Sequence, residues 1–168
     1  YTSPHTLSLH DALPISAQGS VDPELLARLL DEPWLRLAPP RSTGRDLFNA
    51  AWLAQRLSAD WAAVQVQATL SEFTAATVAE ALLAQMPGAQ ELIVCGGGAA
   101  NLDLLGRLRA RLPGVRLVDS AERGLPPQQV EAAAFAWLAL RFVDGLAGNL
   151  PAVTGAAGAR RLGALYPA

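Results

Sequence analysis

The stretch Glu91–Leu108, ELIVCGGGAANLDLLGRL, decides how this chain is read. It opens on an apolar run ending at Cys95, which reads as a strand over 91–95. Three glycines follow, Gly96, Gly97 and Gly98. From Asn101 to about Leu112 the apolar residues return at helical spacing. Pro113-Gly114 turns the chain into a second short strand, VRLVD (115–119). A strongly apolar helix, QQVEAAAFAWLALRFVDG (128–145), starts at or beside Pro127. Strand, glycine turn, helix, strand and helix in this order predict an α/β fold whose crossover is right-handed in a parallel or mixed sheet.

Upstream, Asp22-Pro23 predicts a helix start, with Asp as N-cap and Pro at the first helical position. Leu25, Leu26, Leu29 and Leu30 share one face of that helix. PWLRLAPPRSTG (33–44) is a loop by its prolines and glycine. Asp46 to Leu57 reads as helix, and VQVQATL (64–70) fits either helix or strand. Thr69-x-x-Glu72 has the form of a capping box that would open a long helix to about Met86, ended by Pro87-Gly88. The Gly-, Pro- and Ala-rich C-terminus reads as loop with one short strand at 162–166.

Residues 1–16, YTSPHTLSLHDALPIS, fit nothing downstream. His10, Asp11 and Pro14 break their apolar stretch and no basic segment precedes it, so they do not form a signal peptide. They resemble a translated sequencing adapter and are read as a non-native tail, which leaves residues 17–168 as the domain.

Composition narrows the chemistry. At 168 residues the chain can bury roughly 70% of its unfolded surface. With 51% hydrophobic and 17% charged residues it is globular in class. A net charge of -2 gives no electrostatic reason to expect nucleic acid or an anionic membrane surface as partner. No apolar run reaches the ~18 residues of a membrane span. All 13 basic residues are arginine. Without lysine there is no Schiff base and no Walker-type phosphate loop. Both histidines, His5 and His10, lie in the excluded tail, so the body holds no Ser-His-Asp or Cys-His pair. Cys95 is alone, which rules out a disulfide framework or a cysteine zinc cluster and suits a reducing cytoplasm. Its position at the end of an apolar strand predicts a small buried side chain.

The glycine turn sits where open α/β sheets bind ligands, beyond the carboxyl end of a strand. Glycine permits positive φ and lets a ligand lie against the backbone. The helix that follows offers free N–H groups. A nucleotide fits these features, although the pattern is not G-x-G-x-x-G and no acidic residue stands about 20 positions on in the dinucleotide manner. Asp119 merely ends the next strand, and Glu122 lies just past it. A plain strand-to-helix turn with Asn101 as N-cap fits equally. Glu131 is the only charged residue in EAAAFAWLAL (131–140). It either hydrogen-bonds a ligand or sits near its helix N-terminus because the macrodipole favours a carboxylate there.

Three motifs occur in order: APPRSTGRDLFNAAWL (38–53), ELIVCGGGAANLDLLGRL (91–108) and GLPPQQVEAAAFAWLALRFVDGLAGNLPAVTGA (124–156), with LGALYP (162–167) after them. Together they resemble the C-terminal half of the anhydro-N-acetylmuramic acid kinase family, over about Ala17–Ala168. The first motif is close to the family's PPKSTGRE-x-FN, with Arg41 and Asp46 as conservative departures.

The resemblance implies the C-terminal lobe of an actin-like ATPase (sugar kinase) fold, helix-rich with a small mixed sheet. It implies ATP and Mg2+ as cofactors, and opening of the 1,6-anhydro ring of the sugar with phosphorylation of O6. The product would be N-acetylmuramic acid 6-phosphate, in peptidoglycan recycling in a bacterial cytoplasm. Gly96, Gly97, Gly98 and Asn101 would face the adenosine end of the nucleotide, and Glu131 would hydrogen-bond the anhydro sugar. The family's GTS-x-DG phosphate loop and its GFDTGPGN-like motif with the catalytic aspartate do not occur here, so no catalytic residue and no metal ligand is assigned. The chain then reads as a kinase fragment, inactive alone, with a homodimer open to the full-length enzyme. Two alternatives remain: a non-catalytic nucleotide- or sugar-binding lobe, and a related kinase acting on another sugar.

Overall fold

A computed structural model describes residues 14–58 and 60–166. The two histidines and most of the N-terminal tail lie outside them. The first element of full length is α1 (Pro23–Leu30), capped as expected: Asp22 Oδ1 accepts from Leu25 N at 2.9 Å. Its other carboxylate oxygen accepts from Trp61 Nε1 at 2.9 Å. Leu25 and Leu29 are fully buried.

The long helix opens earlier than its sequence suggests. Of two further helices, α2 is short (Ala50–Ala54) and α3 runs from Ala63 to Gln85. VQVQATL is therefore helical, and Thr69 lies two turns inside α3, not at its cap. The Thr69 hydroxyl donates to the Gln65 carbonyl at 2.8 Å and accepts from Asp22 N at 2.9 Å. A residue that looked like a local cap is a tertiary clasp between α3 and the start of α1. The predicted helix over 46–57 shrinks to α2 because Asn49 caps it, accepting from Trp52 N at 2.9 Å, while residues before Asn49 form turns closed on the Gly44 carbonyl.

α3 is the spine, with one apolar cluster on each half. Towards its N-terminal half Leu25, Leu29, Trp52 and Phe73 are buried together. The Phe48 ring meets Trp52 edge-on, with centroids 5.0 Å apart. Glu32 is buried beneath this cluster and fully engaged. It accepts from Trp52 Nε1 (2.8 Å), Trp34 N (3.1 Å) and Arg56 Nη2 (2.7 Å). The hydrogen bond from Trp52, then that from Trp34, holds its carboxyl below the usual range, with the Arg56 charge adding to the effect.

Towards the other half, Ala75 and Ala79 let α4 (Leu102–Arg111) approach closely, and Leu108 and Leu112 fill the seam. The sheet beside it has two strands, β1 (Glu91–Val94) and β2 (Arg116–Asp119), paired in parallel with Ile93 opposite Val118. It is parallel throughout the described residues, not mixed, because α4 is the crossover between its two strands. α5 (Val130–Val143) and a short α6 (Pro151–Thr154) complete the helices. Residues 162–166 form no strand. Instead that tail runs along α5, and a Cβ added at Gly163 would stand 3.2 Å from the Phe142 ring.

A clamp of four charges joins α3 to α4. Glu72 receives Arg107 Nη1 at 2.9 Å and Arg111 Nε at 2.7 Å, and Asp103 receives Arg107 Nε at 3.0 Å. Burial alone would raise the Glu72 and Asp103 carboxyls. Hydrogen bonds from Arg107, and for Glu72 from Arg111 too, hold both below their usual range.

The chain enters this body through a turn at Ile15–Gln18 packed on α3, which spans the expected boundary at residue 17. Beside it Gly19 touches α3 so closely that an added Cβ would lie 2.1 Å from the Val64 carbonyl oxygen.

Two outcomes follow. Gly19→Ala must push backbone from backbone, and a thermal melt should show a loss of about 1–3 kcal/mol; an unchanged midpoint would contradict the contact. Because the folded Glu32, Glu72 and Asp103 carboxyls titrate below their unfolded values of about 4, their stabilisation is complete above pH ~4.3 and is lost as pH falls through the folded values. Urea midpoints should therefore hold between pH 7 and 5 and drop below about pH 4, and the drop should be smaller in Glu32→Gln.

Candidate functional site

β1 delivers the chain into a turn that only its first glycine requires. Gly96 has φ 68° and ψ -162°, a region essentially closed to other residues. Its N–H donates to the Pro127 carbonyl at 2.9 Å. Gly97–Ala100 then form one 3-10 turn, closed by Asn101 N on the Gly98 carbonyl at 3.1 Å. Neither Gly97 nor Gly98 has positive φ. A Cβ added at Gly97 would meet nothing within 4 Å, and one at Gly98 only the Leu104 side chain at 3.8 Å. The fold accounts for Gly96 and leaves the other two unexplained. Bare backbone that the protein itself does not need is what a ligand pressed against the turn would require.

Asn101 is the N-cap of α4, its Oδ1 accepting from Leu104 N at 3.1 Å. That matches the plain reading of this residue, and it also aims the free N–H groups of the first helical turn beyond the strand ends.

Glu131 lies in the first turn of α5, exposed to solvent, after a 3-10 turn at Pro127–Gln129. The Gly96–Pro127 hydrogen bond ties the glycine turn to the 3-10 turn that leads into this helix, four residues before Glu131. No hydrogen bond joins Glu131 to Asn101 or the glycines among the described residues. α5 buries none of its side chains: Phe135 is 64% and Val143 79% exposed. Cys95, expected to be buried, is exposed at the mouth of the same turn, because nothing among the described residues covers that side of β1.

A small cavity of about 210 Å³ opens where both strands end, lined by Val94, Ala99, Leu105, Arg109, Asp119 and Glu122. This cavity beside the turn, and Arg109 within it, carry no signal in the sequence. Against the expectation from the sequence, Asp119 does lie 21 residues after Gly98, at the end of β2, and its pairing with Val94 brings it and Glu122 beside the glycine turn. Asp119 is partly committed, accepting from Ala121 N at 2.7 Å. Among the described residues no group of three His, Cys, Asp or Glu side chains gathers as a cation site. No described helix is long and apolar enough to cross a membrane.

Comparison with known proteins decides the family. A family model described as anhydro-N-acetylmuramic acid kinase matches residues 10–168. The chain belongs to the anhydro-N-acetylmuramic acid kinase family. Proteins of that name from Xanthomonas oryzae pv. oryzae and Variovorax paradoxus are 54% and 53% identical to it, over 91% and 98% of this chain. One from Chromobacterium violaceum is 52% identical over 90%. The matches take in 41%, 46% and 42% of those three relatives, so the chain spans less than half the length of the curated kinases it resembles.

The two kinds of glycine in the turn should separate cleanly. Gly96→Ala should cost about 1–3 kcal/mol of stability through its backbone angles, and Gly97→Ala no more than about 0.5. Equal losses in paired urea titrations would mean that the fold itself needs both.

Proposed function

We propose that this chain supplies the adenosine-side wall and part of the sugar-side wall of an ATP-dependent kinase that opens 1,6-anhydro-N-acetylmuramic acid and phosphorylates its O6. In this reading it is the C-terminal part of an actin-like sugar kinase working in the bacterial cytoplasm. One observation carries it: Gly97 and Gly98, at the carboxyl end of β1, are free of any structural need, and their turn is hydrogen-bonded to the start of the helix that presents Glu131.

The roles follow from that geometry. Gly96 bends the chain, and Gly97 and Gly98 give the base and ribose a surface without side chains. The first turn of α4 offers N–H donors and a positive helix end. The Glu131 carboxylate accepts a hydrogen bond from the anhydro sugar and fixes its orientation. ATP supplies the phosphoryl group, water supplies the new anomeric oxygen, and cleavage of the anhydro bond leaves O6 to carry the phosphate. The base that activates the water and the loop that holds the phosphates are assigned to the part of the relatives that this chain does not match. Mg2+, implied by the family, is given no ligand in this chain. The exposed apolar face of α5 then packs against that remaining part. On this account the 168 residues alone do not phosphorylate the sugar.

The test is a chimera: the matched stretch of the Xanthomonas campestris relative, 54% identical, replaced by residues 17–168 of this chain. The chimera should phosphorylate the anhydro sugar, and the 168-residue chain should not. Within it, Gly97→Val should raise KM for ATP about tenfold or more with little change in KM for the sugar, and Glu131→Gln should do the reverse. An inactive but folded chimera, or variants that leave both constants unchanged, would overturn the assignment.

A further inference from the structure

On the far half of the body lies an open cavity of about 800 Å³, between the 34–49 loop and α3. Its floor is aromatic: Trp34, Phe48, Trp52 and Phe73 pack edge-on or tilted within 6.0 Å of one another along the chain of contacts. Arg41 and Arg45 are its only charged lining residues, and no acidic side chain lines it. In a chain of net charge -2 this is a locally cationic, apolar-walled groove.

Neither guanidinium is neutralised. Arg41 lies 4.7 Å from the Trp34 ring centroid, and its Nη1 donates to the Trp34 carbonyl at 3.0 Å and to the Leu35 carbonyl. Those bonds fix the head and leave its remaining N–H donors without a carboxylate. Arg45 is exposed and makes no ion pair among the described residues. By contrast Arg56, Arg107, Arg111, Arg116 and Arg123 all sit on carboxylates. Between Arg41 and Arg45, Thr43 Oγ1 is shut from solvent with no hydrogen-bond partner, so the loop also carries an unmet polar atom.

A cavity of this size with largely apolar walls, four aromatic rings among them, and two cationic side chains on its rim suits a small molecule. A nucleotide triphosphate is too polar for this floor, and a neutral hydrocarbon would leave both arginines unused. We propose that the groove binds an organic carboxylate with a flat or branched apolar body, the body on Trp34 and Phe48 and the carboxylate between Arg41 and Arg45. It stands independently of the nucleotide reading, since it shares no residue with the glycine turn.

The test uses 2-naphthoate as probe and its neutral analogue 2-naphthalenemethanol, titrated calorimetrically into the 168-residue chain. Naphthoate should bind saturably and the alcohol about tenfold more weakly. Arg45→Gln should bring naphthoate down to the affinity of the alcohol and leave the alcohol unchanged. Val78→Trp, which fills the groove from α3, should abolish both. Phe135→Ala, in the uncharged cavity along α5, should alter neither. Absence of saturation, equal affinities for acid and alcohol, or indifference to Arg45→Gln would overturn the proposal. So would protection of the groove from hydrogen exchange in the chimeric kinase without probe, which would make its occupant polypeptide.

Discussion

Glu72 holds Arg107 and Arg111 at once, and Arg107 also reaches Asp103. Two acids and two bases, each mostly shielded from water, thus lock α4 against the middle of α3. Removing one member would leave its partners charged and poorly solvated, so the set acts as a unit. Its consequence is positional. With α4 fixed in axial position, Asn101 and the glycine turn at its start are fixed as well, and β1 and β2 are held beside them by the seam of Leu108 and Leu112. The candidate site is therefore built at the end of a rigid helix pair, although none of its own residues is fully buried.

From that fixed turn a single backbone hydrogen bond, Gly96 to Pro127, reaches the start of α5. α5 otherwise stands against its own C-terminal tail: Arg141 Nε donates to the Ala147 carbonyl at 2.9 Å, and the Arg161 guanidinium lies 4.6 Å from the Phe142 ring centroid. Among the described residues, a well-packed body is joined to an apolar helix whose outer face is uncovered.

Much of this was legible in the sequence, and the exceptions share a cause. Asp22, Pro23 and Asn101 mark helix starts by local chemistry, and local chemistry was enough to place them. The same rule misread Thr69, because a Ser/Thr-x-x-Glu pattern cannot reveal that the hydroxyl is claimed by Asp22, 47 residues away. Asp46–Leu57 looked helical by periodicity, yet Asn49 captured the cap and the residues before it turned instead. Cys95 and α5 carry buried-type residues at exposed positions, since apolar character predicts a preference for burial without naming the partner. In the site, the glycines and Glu131 stood out as anomalies of composition. Asp119 and Glu122 were weighed and set aside, and Arg109 carried no signal at all, because their nearness to the turn comes from strand pairing.

If the turn at Gly96–Gly98 and the start of α4 receive the adenosine of a nucleotide, hydrogen–deuterium exchange of the chimeric kinase should respond to ADP there. Exchange should slow in peptides covering residues 94–104, with the 34–49 loop unaffected. Unchanged exchange over 94–104 at saturating ADP, with protection elsewhere, would contradict it and reduce the glycine turn to a bend in the chain.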